Sequence, residues 1–137
     1  MIIKGKLIKC NRQVKEFKGK ASPEALYITL AEVDFSDKEL VKFFDEVYKD
    51  AGKSFQPGWY KHPEEGFFNT KTQYDLPCIG WDNKQYESIV DYIDDKNNWM
   101  GAEVGISLKA KGNAVYPNSV KFYTEGKEID PYAEFND

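Results

Sequence analysis

The sequence predicts a mostly β fold, an antiparallel barrel with two inserted helices, and three observations carry that expectation. Several runs alternate apolar and polar residues, the period of a strand with one face buried and one wet. Two runs between them change to helical spacing. Glycine and proline punctuate the junctions, as at Gly19, Pro23, Pro57, Gly58, Pro63, Gly66 and Pro77. A chain of 137 residues is one domain by size and long enough to bury a core without staples. That domain is expected over residues 1–126, with 127–137 as an acidic, aromatic tail.

Met1 to Lys9 reads as a first strand with Ile3 and Leu7 on one face and Lys4 and Lys6 on the other, although Ile2 and Ile8 blur the alternation. Asn11 to Pro23 is polar and broken by Gly19 and Pro23, so it is expected to form a long hairpin loop with one more short ladder around Val14 and Phe17, and it is a candidate binding arm. Ala25 to Val33 turns Leu26, Ile28 and Leu30 inward and Tyr27 and Thr29 outward. Ser36 or Asp37 then caps a helix in which Leu40, Val41, Phe43, Phe44, Val47 and Tyr48 recur at helical spacing up to Gly52.

Lys53 to Gly66 is a loop loaded with Phe55, Trp59 and Tyr60, which either cover one end of the barrel or form a stacking platform for bases. Phe67 to Trp81 has the composition of a strand interrupted at Pro77, either two strands or one bent one. Asp82 to Asp95 suits a short second helix with Tyr86, Ile89, Val90 and Ile93 inward. In the last stretch Ala102, Val104, Ile106, Leu108 and Ala110 face inward and alternate with Glu103, Gly105, Ser107, Lys109 and Lys111. After the loop residues Gly112, Asn113, Pro117 and Asn118, Val120, Phe122 and Thr124 face one way and Ser119, Lys121 and Tyr123 the other. These two runs are expected to be antiparallel neighbours whose wet face gathers Lys109, Lys111, Lys121 and Tyr123, a surface suited to a polyanion with flat bases. The plainer reading is that such lysines only solvate a strand.

The formal net charge of −4 argues against a nucleic-acid ligand until it is apportioned. Residues 125–137 alone carry −4, which leaves residues 1–124 neutral, and the first twenty residues carry +6 through Lys4, Lys6, Lys9, Arg12, Lys15, Lys18 and Lys20 against Glu16. Local potential rather than net charge steers a ligand, so a basic strand and arm beside a basic hairpin can focus a positive groove on an acidic protein.

Catalytic and metal constellations are largely absent from the sequence; a pairing of His62 with Cys78 as base and nucleophile stays open, although any two such residues would qualify. His62 is the only histidine and stands beside Pro63 with no second ligand nearby, and no glycine-rich phosphate loop occurs. Cys10 and Cys78 are unpatterned and read as ordinary thiols, with a bridge between them left open. No stretch reaches the ~20 apolar residues of a membrane span. The expected protein is a binder without catalytic residues, metal or cofactor. Lys4, Lys6, Arg12, Lys109, Lys111 and Lys121 are the candidates for phosphates, and Tyr27, Trp59, Tyr60 and Tyr123 for bases. The alternative is a β-rich module that binds a protein or a saccharide through the aromatic loop 55–60.

The order of elements, the runs VGISLKAKGNAV and SVKFYTEG, and the tail DPYAEFND resemble the OB-fold single-stranded DNA-binding proteins of bacteriophages and prophages. The resemblance implies an OB-fold-like barrel, single-stranded DNA as ligand, and a place in replication or recombination in the cytoplasm of a bacterial or phage-infected cell. It also implies a tail, with Asp130, Tyr132, Glu134 and Phe135, that competes with DNA or recruits replication and recombination proteins; a homodimer is compatible with it. The tail here is short, and Phe135 is not its last residue. A solubilising end is the plainer reading of the same composition.

Overall fold

The computed structural model describes residues 1–48, 66–95, 98–111 and 114–126. Among these residues the fold is mostly β with two helices, an OB-fold-like barrel. Strands β1 (Ile2–Gln13), β4 (Ala25–Ala31), β5 (Phe68–Thr72), β6 (Cys78–Ile79), β7 (Gln85–Tyr86), β8 (Glu103–Lys111) and β9 (Ala114–Phe122) form one sheet in the order β5-β4-β1-β8-β9-β6-β7. Strands β2 (Glu16–Phe17) and β3 (Lys20–Ala21) make a separate small hairpin. All pairings are antiparallel except β6 with β9.

Chain connectivity forces this sheet to curl. From β5 to β6 a flat sheet would place five strand spacings, ~24 Å. Yet β6 begins six residues after β5 ends, a reach of at most roughly 20 Å. The two edges are therefore brought together, and β5 lies against β9. The stretch interrupted at Pro77 is thus two short strands, each paired to a different neighbour, with residues 73–77 as the strap that closes the barrel.

The interior follows the predicted alternation. Ile3, Leu7, Leu26, Ile28, Leu30, Val104, Ile106, Val120 and Phe122 are all buried. Helix α1 (Lys38–Tyr48) starts at Asp37, whose carboxylate accepts the backbone N–H of Glu39 at 3.0 Å and of Leu40 at 3.4 Å. It buries Leu40 and Phe44, the latter 6.0 Å from the Phe68 ring. Residues 49–52 of the expected helix lie outside the described residues. Helix α2 (Ile89–Asp94) is capped by Ser88 and closes the other side with Tyr92, whose ring is 4.5 Å from Phe122 and 5.1 Å from Tyr86.

Four expectations need correction. β1 continues to Gln13, with a bulge between Leu7 and Lys9 that accommodates Ile8, so the polar stretch after Lys9 is ladder before it is loop. Tyr86 belongs to β7 rather than the second helix, where Tyr92 is buried instead; the expected inward set misses it because the true helix starts at Ile89. Ala110 is exposed, since β8 by then has run past the core into the hairpin tip. Pro117 and Asn118 are strand, not loop: Pro117 pairs with Leu108 and a bulge takes up Asn118. That bulge resets the alternation and turns Tyr116 toward the same side as Lys109, its cross-strand partner.

Candidate nucleic-acid interface

The outer wall of the barrel carries two tyrosines, each surrounded by ammonium groups, and a groove between them. On β4, Tyr27 faces outward between Asn11 of β1 and Lys71 of β5. Lys15 Nζ lies 4.3 Å from the centroid of its ring, Lys71 at 5.8 Å and Lys9 at 5.9 Å. The arm that delivers Lys15 is closed by its own turn. Lys18 and Gly19 have φ of 52° and 77°, as a two-residue hairpin with a matching twist requires, and Ser22 N–H donates to the Lys15 carbonyl at 2.7 Å. Three separate elements thus converge on one ring, an arrangement of cation–π type.

The second tyrosine, Tyr123, follows β9 directly, with Lys4 Nζ 5.4 Å and Lys121 Nζ 5.8 Å from its ring centroid. Its ring lies on Gly105. A Cβ at that position would fall 2.7 Å from Tyr123 Oη and 3.0 Å from Cε2, so the absence of a side chain is what lets the ring lie there.

Where the strap 73–77 passes the β8–β9 hairpin, a groove of about 810 Å³ opens, within the ~300–1,000 Å³ usual for ligand sites. Lys71, Lys109 and Lys111 line it together with Tyr74 and Tyr116, which are 80% and 45% exposed. Among the described residues the one carboxylate in its lining, Asp75, is ion-paired with Arg12. Thr72 Oγ1 accepts the Tyr74 backbone N–H at 3.2 Å and fixes the turn that presents this ring.

The predicted site residues are therefore sorted as follows. Lys4, Lys121 and Tyr123 meet at one platform, Tyr27 forms the other, and Lys109 and Lys111 stand on the groove. Lys6 is engaged by Glu32 at 2.9 Å and Arg12 by Asp75, so both cations already have carboxylate partners. Trp59, Tyr60, and the tail residues Asp130, Tyr132, Glu134 and Phe135 lie outside the described residues. Sequence reasoning missed Lys9, Lys15, Lys71, Tyr74 and Tyr116 as contributors. Lys9 and Lys15 count toward the basic first twenty residues but are not singled out there, and the assignment of Pro117 to a loop conceals Tyr116, the cross-strand partner of Lys109.

Among the described residues no group of three or more His, Cys, Asp or Glu side chains is placed to hold a metal ion. None of their helices is long and apolar enough to cross a membrane. Cys10 and Cys78 are buried and unbridged, and burial pushes both thiols up to about 12, aided by Cys78 in the case of Cys10 and by Asp82 and Asp91 in the case of Cys78. Such thiols are poor nucleophiles.

No protein-family model and no curated protein matches the sequence. Solved structures do share the fold. The single-stranded DNA-binding protein from bacteriophage Enc34 superposes with a TM-score of 0.50 at 14% identity, over 98% of this chain and 90% of that one. Its C-terminal truncation gives 0.52 at 12% identity, and its complex with single-stranded DNA 0.50 at 16%, each over 93% of this chain and 88% of the other.

Proposed function

We propose that this chain binds single-stranded DNA with little sequence preference, holding phosphates on lysines and stacking bases on tyrosines, and that it acts by binding rather than by catalysis. The observation that carries the proposal is the strap groove, where three lysines and two exposed tyrosines line a space whose one carboxylate among the described residues is already engaged by Arg12. The likeness in fold to a protein solved with single-stranded DNA supports it. Lys4, Lys109, Lys111 and Lys121 would contact phosphates and Tyr27 and Tyr123 bases; Lys6 and Arg12 would do so only by leaving Glu32 and Asp75. Trp59 and Tyr60 are assigned to the same role on composition alone.

A phage-type role in replication or recombination within a bacterial cytoplasm belongs to this reading. So does a tail that, through Asp130, Tyr132, Glu134 and Phe135, competes for the lysines or recruits partner proteins. The −4 charge of residues 125–137 supports that part. Removing residues 128–137 should then raise DNA affinity at low salt and leave the melting temperature unchanged.

Titration with labelled oligo-dT of about 20–30 nucleotides at two salt concentrations tests the proposal. Tryptophan fluorescence should be quenched, and log affinity should fall by ~0.7 per phosphate contact per log unit of salt. Duplex of equal length should bind far more weakly. Neither quenching nor a mobility shift at low salt and micromolar protein would remove the proposal. Lys109→Glu with Lys121→Glu should abolish binding while circular dichroism shows the fold intact.

A further inference from the structure

We propose that the cleft beside Tyr123 is a second nucleotide site, distinct from the strap groove, which seats one base of a strand leaving the groove along the outer face of the β8–β9 hairpin. This rests on the reading of the chain as a single-stranded DNA binder. The cleft measures about 240 Å³, below the ~300 Å³ at which sites for drug-sized ligands begin, and suits a single planar ring. Ile2 and Ile79 supply apolar walls, while Gln85, Ser107 and Ser119 supply donors and acceptors at the edge of that plane.

Strand register builds this arrangement row by row. Lys4, Gly105, Lys121, Ile79 and Gln85 follow one another across five strands through successive cross-strand pairs. Ile2, Ser107 and Ser119 form the neighbouring row. In the first row the missing side chain of Gly105 is filled by the Tyr123 ring, and the ammonium groups flank it on flexible stems. Among the described residues neither Lys4 nor Lys121 forms an ion pair, so both are free to turn onto phosphates. Ile2 is 55% exposed at the rim, an apolar side chain on a wet face that a stacked base would cover.

Charge fixes the direction from which the strand arrives. On the far side of Tyr123 the adjoining cleft holds Glu32, Asp34 and Glu103, which outnumber Lys4 and Lys6 there and repel phosphates. Toward the hairpin tip the same outer face passes Ser107 and Ser119 and reaches the pair Lys109 and Tyr116, then Lys111, at the mouth of the groove. Gly105 and Lys109 are four residues apart on β8, ~13 Å, a span that a few nucleotides cover.

Oligomer length separates the two sites. With oligo-dT of about 25 nucleotides, Tyr123→Leu should bind about tenfold more weakly than wild type, whereas with about 3 nucleotides, too short to fill the groove and also reach the cleft, the loss should be under about twofold. Lys4→Gln with Lys121→Gln should show the same length dependence, together with a salt slope on the long oligomer lowered by ~0.7 to 1.4, and these exposed positions keep the test valid if Tyr123→Leu fails to fold. Equal losses on both lengths would make the cleft part of one continuous primary site and overturn the proposal, as would no loss on either. Wild-type protein that binds neither oligomer would remove the DNA-binding reading itself, an outcome distinct from failure of the second site.

Discussion

Tyr27 and Tyr123 present the same chemistry on two different foundations. Tyr27 stands on a regular antiparallel ladder, and its three cations arrive from β1, from the arm and from β5. Tyr123 rests where Gly105 has no side chain, and its two cations come from the flanking strands β1 and β9. One platform is made by convergence of distant segments and the other by undercutting a single position. The first is the more cationic and gathers three elements; the second is set by the register of β1, β8 and β9 and depends on one glycine.

The sharpest way to break this comparison is charge reversal on each side. Lys15→Glu with Lys71→Glu should lower oligo-dT affinity by about 100-fold at low salt, and Lys4→Glu with Lys121→Glu by about tenfold. Equal losses in fluorescence titrations would show that cation number does not rank the two platforms. Next in size, Gly105→Ala should cost a few-fold in affinity for long oligomers. The three atoms nearest the new Cβ are side-chain atoms, Tyr123 Oη and Cε2 and Ile2 Cγ2, so the ring lifts while the barrel survives, at about 1 kcal/mol by thermal denaturation. A large loss of stability would instead mean that the ring is pinned.

A smaller effect distinguishes neighbours in sequence. Lys6→Ala should change affinity by less than about twofold, since Glu32 already holds this ammonium, while Lys4→Ala should cost more. The smallest effect on binding concerns the interior that both platforms share. Cys10 and Cys78 keep their protons up to about 12, against 9.0 for a free thiol, so the unfolded chain releases protons first. Their contribution to stability is complete below pH 9 and is lost as the pH climbs from 9 toward 12. The melting temperature should fall over that range, and the folded protein should resist thiol-alkylating reagents at pH 8 until denaturant is added.

Local periodicity made much of the fold legible. The inward sets of β4 and β8 and the cap at Asp37 each depend on residues within a few positions of one another, and they stand as expected apart from Ala110 at the hairpin tip. What was not legible is what distance decides. Lys15 and Lys71 reach Tyr27 from 12 and 44 positions away in sequence, and no pattern in either segment announces it. The two bulges, at Ile8 and Asn118, shift the phase within a strand, and the second, lying between Tyr116 and the correctly read Val120, hid the outward turn of Tyr116. Lys6 and Arg12 looked equivalent to Lys4 by composition, and only their carboxylate partners separate them.

The strap of residues 73–77 has a mechanical consequence. Around the barrel wall, ladder hydrogen bonds stitch each strand to the next, but among the described residues β5 and β9 touch without pairing. The wall therefore has a seam, and the groove lies along it. Widening a seam breaks no ladder, so the groove can change its width while the rest of the wall stays stiff. The Arg12–Asp75 pair ties the strap to the end of β1, away from the seam itself, and is exposed enough for salt to weaken it. Amide hydrogen exchange should therefore be fastest along the strap and should quicken there with salt, ahead of any change in β1, β4 or β8.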